Sequence, residues 1–286
     1  MWLAYAFLSA FFAGICAVLS KVGMTGINSN LATAIRTVVV FIFAWLMVFV
    51  VGAQDGMAAI SAKTYVFLVL SGLATGVSWL CYFKALKIGD VNKVAPIDKS
   101  STILTMIIAF VFLHEEISPL KFICIVLIGA GTYLMIEKKA SGGKTSEKSD
   151  WLVWAVLSVV FAALTSILGK IGISDINSTL GTAIRTFVVL IMAWVVVFVT
   201  KSGRGECKVT KNDFVFLILS GIATGLSWLC YYRALQDGPA SVVVPIDKLS
   251  ILVTIGFSYV ILKERLTGKS LAGLVLLTLG TLLLLV

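Results

Sequence analysis

The chain has 286 residues, of which 59% are hydrophobic and 13% are charged, and its mean hydropathy is +1.05. A soluble globular chain is about 45–50% apolar, so this composition excludes a water-soluble fold of this length. The formal net charge of +9 comes from basic residues scattered over short loops. Membrane topology explains such a distribution better than nucleic-acid binding does.

Ten apolar segments follow one another along the chain. A transmembrane helix needs about 20 mostly apolar residues. A β-barrel is excluded because its strands alternate in polarity over about ten residues, whereas residues 38–51 are apolar on every face. We therefore predict an all-α integral membrane protein with ten transmembrane helices. The predicted helices are residues 2–20, 31–51, 65–86, 91–113, 118–136, 152–169, 180–200, 214–235, 240–262 and 267–286.

The second half of the chain repeats the first at a constant offset of 149 positions, so that Lys21 matches Lys170 and Arg36 matches Arg185. About 60 of the 136 aligned pairs are identical and no gap is needed. The shared blocks include INS, TAIRT, SWLCY and PIDK, which begin at positions 27, 33, 78 and 96. We predict a first repeat at 1–136 and a second at 151–286. Residues 137–150, rich in Gly, Ser and charge, form a flexible cytoplasmic linker.

Five helices per repeat is an odd number, so the second repeat must begin on the side of the membrane where the first one ends. Inverted topology follows. Lys and Arg collect on the cytoplasmic side of membrane proteins, and their distribution indicates which side that is. The face of the N-terminus carries four, namely Lys63, Lys121, Lys170 and Arg233. The linker face carries fifteen, namely Lys21, Lys84, Lys87, Lys93, Lys138, Lys139, Lys144, Lys148, Lys201, Arg204, Lys208, Lys211, Lys263, Arg265 and Lys269. We predict a multi-pass protein of the plasma (inner) membrane with both termini outside.

Several motifs together resemble those of a known transporter family. The third and eighth predicted helices end in YFKAL and YYRAL, and the helix after each contains Pro with an acidic residue. That helix is followed by FLHEE in the first repeat and by ILKERLT in the second, and the last helix of each repeat contains Gly-Thr. The whole chain resembles the drug/metabolite transporter superfamily, in its EamA-like branch, and residues 245–285 are the most specific part. The resemblance implies a fused ten-helix secondary transporter or exporter of small metabolites, with a central cavity between the repeats. Ten-helix relatives usually keep both termini in the cytoplasm, opposite to the orientation that the charges predict here.

The PIDK blocks place ionisable side chains inside the membrane, at Asp98, Lys99, Asp247 and Lys248. Each costs at least about 2.5–3.5 kcal/mol at the bilayer centre, so such residues are functional candidates. Neighbouring residues on a helix point about 100° apart, so we expect reciprocal pairs of Asp98 with Lys248 and of Asp247 with Lys99. A purely structural ion pair between the repeats is the alternative to substrate binding.

Two further pairs of equivalent residues are candidates. Pro96 and Pro245 precede the charged residues, and proline interrupts or kinks a helix, so we predict broken helices there that present backbone groups to a substrate. A kink without a ligand is the alternative. Arg36 and Arg185 either bind a substrate carboxylate or phosphate or extend to the membrane interface.

The third and eighth helices contain SGLATGVSWLCY and SGIATGLSWLCY. Glycines four residues apart allow close helix packing, which is the role we predict for Gly72, Gly76, Gly221 and Gly225. The aromatic residues of this motif line either the substrate cavity, which we predict, or the membrane interface. They are Trp79, Trp228, Tyr82 and Tyr231. For Glu115 and Glu264 we expect a solvated helix cap or loop pair.

We predict a carrier that alternates access between the inverted repeats and moves a small zwitterionic or anionic organic metabolite, since basic side chains outnumber acidic ones within the membrane. The alternative is a flippase for a phosphorylated lipid headgroup. Cation/proton antiport of the small-multidrug-resistance type is disfavoured, because residues 2–20 and 152–169 contain no acid.

The sequence offers no repeated nucleophile and base, no metal-spaced His or Cys cluster and no phosphate loop. We therefore expect no enzymatic activity, no cofactor and no metal. The expected partners are a small-molecule metabolite and the lipid bilayer, with a coupling proton left open and no nucleic acid. We expect a monomer or a weak dimer.

Overall fold

The computed structural model describes residues 1–23, 27–88, 94, 97–116, 118–135, 150–202, 211–262 and 267–285. The described residues form eleven α-helices. They are α1 Trp2–Gly23, α2 Ser29–Val51, α3 Ala62–Ile88, α4 Ser101–Phe112, α5 Pro119–Met135, α6 Asp150–Gly172, α7 Ser178–Thr200, α8 Lys211–Asp237, α9 Ala240–Lys248, α10 Ser250–Leu262 and α11 Gly268–Leu282. Short 3-10 helices follow α2, at Ala53–Ala59, and α11, at Leu283–Leu285. Residues 137–149 of the predicted linker lie outside the described residues, and Asp150 is the first residue of α6.

Eight segments of the described chain are long and apolar enough to cross a membrane, and Pro119–Met135 is a shorter apolar helix. The predicted fourth helix is described only in part, as α4 and the helical residues 97–99. The all-α fold class is confirmed.

The repeated INS block has a local role, because the side chains of Asn28 and Asn177 accept hydrogen bonds from the backbone N–H groups of Asn30 and Thr179. It thereby caps the second helix of each repeat.

The two repeats are inverted relative to each other. The second helices of the repeats, α2 and α7, run antiparallel, because Asn30 contacts Thr200 and Phe41 packs on Phe187. The fifth helices, α5 and α11, are also antiparallel, because Gly131 lies against Leu277 and Gly280 lies against Ile128. A Cβ built at Gly131 would lie 2.5 Å from the Leu277 amide nitrogen, so glycine is required for this close approach. Equivalent helices that run in opposite directions define an inverted repeat.

Each repeat packs its first helix against the third helix of the other. The α1–α8 contact includes hydroxyl groups of Ser9 and Ser227, 3.3 Å apart. The α3–α6 contact repeats it, since the hydroxyls of Ser78 and Ser158 lie 3.4 Å apart. The two repeats therefore exchange equivalent contacts across the centre of the molecule.

The predicted ninth helix is interrupted, but not at its proline. Pro245 lies inside α9, and the interruption falls four residues later, at Leu249. There the Leu249 N–H bonds the carbonyl of Ile246 at 2.9 Å, a tighter turn than that of an α-helix. Ser100 makes the same bond to Ile97 at 3.0 Å in the first repeat. Pro96 lies outside the described residues.

Candidate functional site

The turn that follows each PIDK block brings Lys99 and Lys248 to one cavity of about 320 Å³. The cavity lies among α1, α4, α5, α10 and α11. Its polar lining residues are Lys99, Thr102, Thr132, Lys248, Ser250 and Thr254. The remaining lining residues are Ala13, Ala17, Ile128, Met135, Ile251 and Leu277. Two ammonium groups and four hydroxyls thus share one cavity, and no acidic side chain is among its described lining residues.

The cavity is displaced toward one face of the membrane protein. Its α1 residues, Ala13 and Ala17, belong to the second half of that helix. Thr132 and Met135 belong to the last turns of α5, just before the linker. The cavity therefore lies toward the face at which α1 and α5 end, which we call the linker face.

The aspartates of PIDK point away from the lysines. The Ser9 hydroxyl donates to Asp247 Oδ1 at 2.7 Å. In the mirrored position, the Ser158 hydroxyl lies 3.4 Å from Asp98 Oδ1 and donates to it. Each aspartate of one repeat therefore bonds the first helix of the other repeat. The sequence signal for these serines was present, because position 9 and position 158 are identical, but a lone Ser in an apolar segment is not distinctive.

The prediction of reciprocal ion pairs between Asp98 and Lys248 and between Asp247 and Lys99 is wrong. Among the described residues, no carboxylate lies within 4.0 Å of the Lys99 or Lys248 ammonium group. The lysines point to the cavity, and Asp98 and Asp247 bond the serines of the opposite repeat instead.

Arg185 is buried between the repeats. Only 2% of the residue is exposed. Its Nε donates to the Ser71 hydroxyl at 2.9 Å, and its Nη2 donates to the Thr75 hydroxyl at 2.6 Å. The guanidinium carbon lies 5.2 Å from the ring centre of Trp228 and 4.8 Å from that of Tyr232. Arg185 therefore does not reach the membrane interface, and its Nη1 has no hydrogen-bond partner among the described residues.

The equivalent Arg36 has different partners. Its Nη1 donates to the Ser20 hydroxyl at 2.7 Å and contacts the Cys16 sulfur at 3.4 Å, both on its own repeat. The sequence explains the difference, because glycine replaces Ser20 in the second repeat. A Cβ at that position, Gly169, would lie 2.6 Å from the ring of Tyr232. The space that a serine occupies in one repeat is filled by a tyrosine ring in the other.

None of the four predicted aromatic residues lines the 320 Å³ cavity. Trp228 stacks on Arg185, and the Tyr231 hydroxyl donates to Ser166 at 2.9 Å. Trp79 and Tyr82 pack in separate hydrophobic clusters, beside Trp194 and Trp154 respectively. Their assignment to the substrate site stays a prediction.

The four motif glycines lie at helix contacts between the repeats. A Cβ at Gly72 or Gly76 would meet Val188 or Met192 of α7 within 2.7 Å. In the mirrored contact of α8 with α2, the distances from Gly221 to Val39 and from Gly225 to Phe43 are 2.7 Å and 2.5 Å. These pairs show that α3 runs parallel to α7, as α8 does to α2. They bring the arginine of each second helix to the hydroxyl-rich third helix of the other repeat.

Comparison with known proteins agrees with the helical fold and with its division into two repeats. A structure solved by crystallography shares the fold, with a TM-score of 0.74 at 15% identity, over 98% of this chain and 96% of that one. An uncharacterized transporter from the cobO 3′ region of Sinorhizobium sp. is 44% identical over 134 residues, which is 47% of this chain and 95% of the relative. It thus has about the length of one repeat.

The uncharacterized transporter YxxF of Bacillus subtilis is 23% identical over 173 residues, covering 59% of this chain and 54% of the relative. The sequence model of the EamA-like transporter family matches twice, at residues 1–137 and 149–286. With both matches covering nearly the whole chain, and with a duplicated, inverted helical fold, this membrane protein belongs to the EamA-like transporter family.

Proposed function

We propose that this transporter is a secondary carrier that exports a small anionic or zwitterionic organic metabolite by alternating access. The observation that carries the proposal is the convergence of Lys99 and Lys248 on one cavity. The two side chains come from equivalent positions of the two repeats, so a single ligand in this cavity would contact both halves of the molecule. A carrier needs such a shared site, because a ligand shifts a conformational equilibrium only through contacts that differ between the states.

The charge of the cavity favours an anion. Two like charges in a partly desolvated site repel each other, and an anionic group between them removes that repulsion. The hydroxyls of Thr102, Thr132, Ser250 and Thr254 can donate further hydrogen bonds to carboxylate or phosphate oxygens. With no acidic lining residue described, a ligand carrying only positive charge would be repelled. A zwitterion would fit if its carboxylate faces the lysines.

The location of the cavity supports the direction of transport. It lies toward the linker face, which the distribution of Lys and Arg assigns to the cytoplasm. In this proposal the structure corresponds to a state that loads its substrate from the cytoplasm. Inverted repeats supply the second state, because exchanging the conformations of the two halves moves the opening to the other face.

The experiment is a thermal-shift screen of the purified protein against a panel of small carboxylates, phosphorylated metabolites, zwitterionic amino acids and quaternary ammonium ions. Stabilisation by an anion should disappear in Lys99→Gln and Lys248→Gln. It should persist in Lys63→Gln, since that lysine is exposed at the start of α3. Loss of one charged hydrogen bond should weaken binding by about 10- to 100-fold.

Two results would contradict the proposal. One is stabilisation by permanent cations alone. The other is a shift that survives both lysine substitutions, which would place the ligand elsewhere. The flippase alternative has no specific observation in its favour among the described residues, and an effect confined to phospholipids in the same screen would revive it.

A further inference from the structure

A cluster of polar contacts joins the two repeats on the face opposite the cavity. Glu115 follows α4 of the first repeat. Its two carboxylate oxygens accept hydrogen bonds from the backbone N–H groups of Ala240, at 2.6 Å, and Ser241, at 2.9 Å. Lys170, near the end of α6, donates to Glu115 Oε1 at 3.3 Å and to the carbonyl of Gly238 at 2.5 Å. We call these contacts the Glu115 clamp.

The clamp satisfies backbone groups that the second repeat leaves unpaired. The first N–H groups of a helix have no partner within that helix. Pro239, at the N-cap of α9, offers no side-chain hydrogen bond. Glu115 supplies the missing acceptor from the other repeat, and its negative charge suits the positive end of the helix dipole. Lys170 neutralises the carboxylate and also satisfies a carbonyl just beyond the end of α8. The cap of α9 therefore depends on contact between the repeats.

The surroundings of the clamp are tightly closed. A Cβ at Gly238 would lie 2.6 Å from the ring of Trp2, so the start of α1 packs against this junction. Ala6, Phe110 and Val243 belong to one buried hydrophobic cluster, with exposures of 0%, 8% and 0%. This cluster joins α1, α4 and α9 near the face of the N-terminus, whereas the cavity lies toward the linker face. On that side the helices of both repeats are therefore packed together in this structure.

We propose that the Glu115 clamp is the closed gate on this face and that it must break before a substrate can leave there. This inference rests on the proposed function, since a gate has meaning only for a carrier. Separating α4 from α9 removes both hydrogen bonds to Glu115 and leaves the first turn of α9 to be hydrated. Glu115 and Lys170 are thus positioning residues that set the equilibrium between closed and open states without touching the cavity.

The test measures how often the junction opens. Ser241 is fully buried, and its backbone N–H makes the clamp contact. Ser241→Cys keeps this backbone contact and adds a buried thiol, and it is the parent of every variant compared. Cys81, which lies toward the linker-face end of α3 and outside the hydrophobic cluster that joins α1, α4 and α9, is retained as a second buried thiol with 4% exposure, and the other four native cysteines are replaced by alanine. Modification of the two thiols by N-ethylmaleimide is followed separately by peptide mass spectrometry.

Adding Glu115→Gln should speed modification of the thiol at position 241 about tenfold, the factor that corresponds to about 1.4 kcal/mol. Lys170→Gln should act in the same direction, and each should leave the modification rate of Cys81 unchanged. Glu116→Gln is the matched control, because the Glu116 side chain is exposed beside the clamp. Equal rates in the parent and both clamp variants would overturn the gate. A parallel rise at Cys81 would also overturn it, since general loosening would then explain the exposure.

The failure of this inference is distinguishable from failure of the proposed function. The modification rates are measured without ligand, so they report the clamp whatever the cavity binds. Conversely, Lys99→Gln and Lys248→Gln, the variants of the thermal-shift screen, leave the clamp residues Glu115 and Lys170 unchanged. An unchanged rate with intact anion binding would reject the gate alone, and a faster rate without any anion binding would reject the substrate proposal alone.

Discussion

Replacing the two equivalent arginines by lysine should have unequal effects. Arg185→Lys keeps the positive charge but removes the planar fork that bonds Ser71 and Thr75 at once. A lysine ammonium of similar reach can keep at most one of these contacts and loses most of the stacking on Trp228 and Tyr232. Arg36→Lys removes less, because its principal contact is the single hydrogen bond to Ser20.

The magnitude follows from these contacts. A hydrogen bond from a charged group contributes about 1.5–3 kcal/mol, and a desolvated cation–π contact contributes about 0.5–2 kcal/mol. For Arg185, which is 98% buried (2% exposed), the loss should total about 2–4 kcal/mol. For the half-buried Arg36, it should be about 0–1 kcal/mol. At roughly 2–4 °C per kcal/mol, Arg185→Lys should lower Tm by about 4–16 °C and Arg36→Lys by less than about 4 °C.

The assay is thermal unfolding of the detergent-purified proteins, followed by intrinsic tryptophan fluorescence and by loss of the monodisperse size-exclusion peak. The matched pair controls for detergent and for the general cost of an arginine-to-lysine change in a TAIRT block. Equal losses of Tm in the two variants would refute the reasoning. A larger loss for Arg36→Lys would refute it more strongly, because that residue has fewer and more exposed contacts.

Three further outcomes follow from the structure. Gly131→Ala should lower Tm in the same assay, because inserted atoms in a packed contact cost about 1–3 kcal/mol, while Gly256→Ala, with open space around it, should not lower it. Ser9→Ala and Asp247→Asn should be non-additive by about 0.5–3 kcal/mol in a double-mutant cycle, and additivity would argue against their hydrogen bond. Burial would raise the pKa of Glu115, but its hydrogen bonds and the nearby lysine outweigh burial and hold that pKa below its ordinary value. Its stabilising contribution is therefore complete above the ordinary carboxyl pKa of about 4.3 and is lost as the pH falls through the lowered value, so the Tm difference from Glu115→Gln should shrink between about pH 5 and pH 3.

Hydropathy and the repeat were enough to predict the helices and their inversion. Apolar length alone indicates a membrane span, and an odd number of spans in a gapless duplication forces the second copy to be inverted. The contact of α2 with α7 agrees with this, since equivalent helices run antiparallel. The orientation of the whole molecule in the membrane stays a prediction from the loop charges.

Local sequence could not predict where the helix that contains PIDK is interrupted. Pro245 lacks a backbone donor, yet its neighbours still complete α9, and the tight turn forms only at Leu249. A proline removes the backbone hydrogen bond that its own N–H would have donated, and its sequence position shows where that loss falls. The position of the interruption depends on which residues the two halves of the broken helix pack against.

The identical blocks of the two repeats predict which types of residue lie at equivalent positions, but they do not predict which side chains those residues contact. TAIRT occurs twice, yet Arg185 bonds the other repeat and Arg36 bonds its own, because Ser20 and Gly169 leave different space beside them. PIDK likewise predicted buried charges, and their separation into cavity lysines and serine-bound aspartates depends on helix rotation. A motif specifies chemistry along one helix. Only the packing of that helix against others decides which side chains meet, since hydrogen bonds and close contacts depend on distances between segments far apart in sequence.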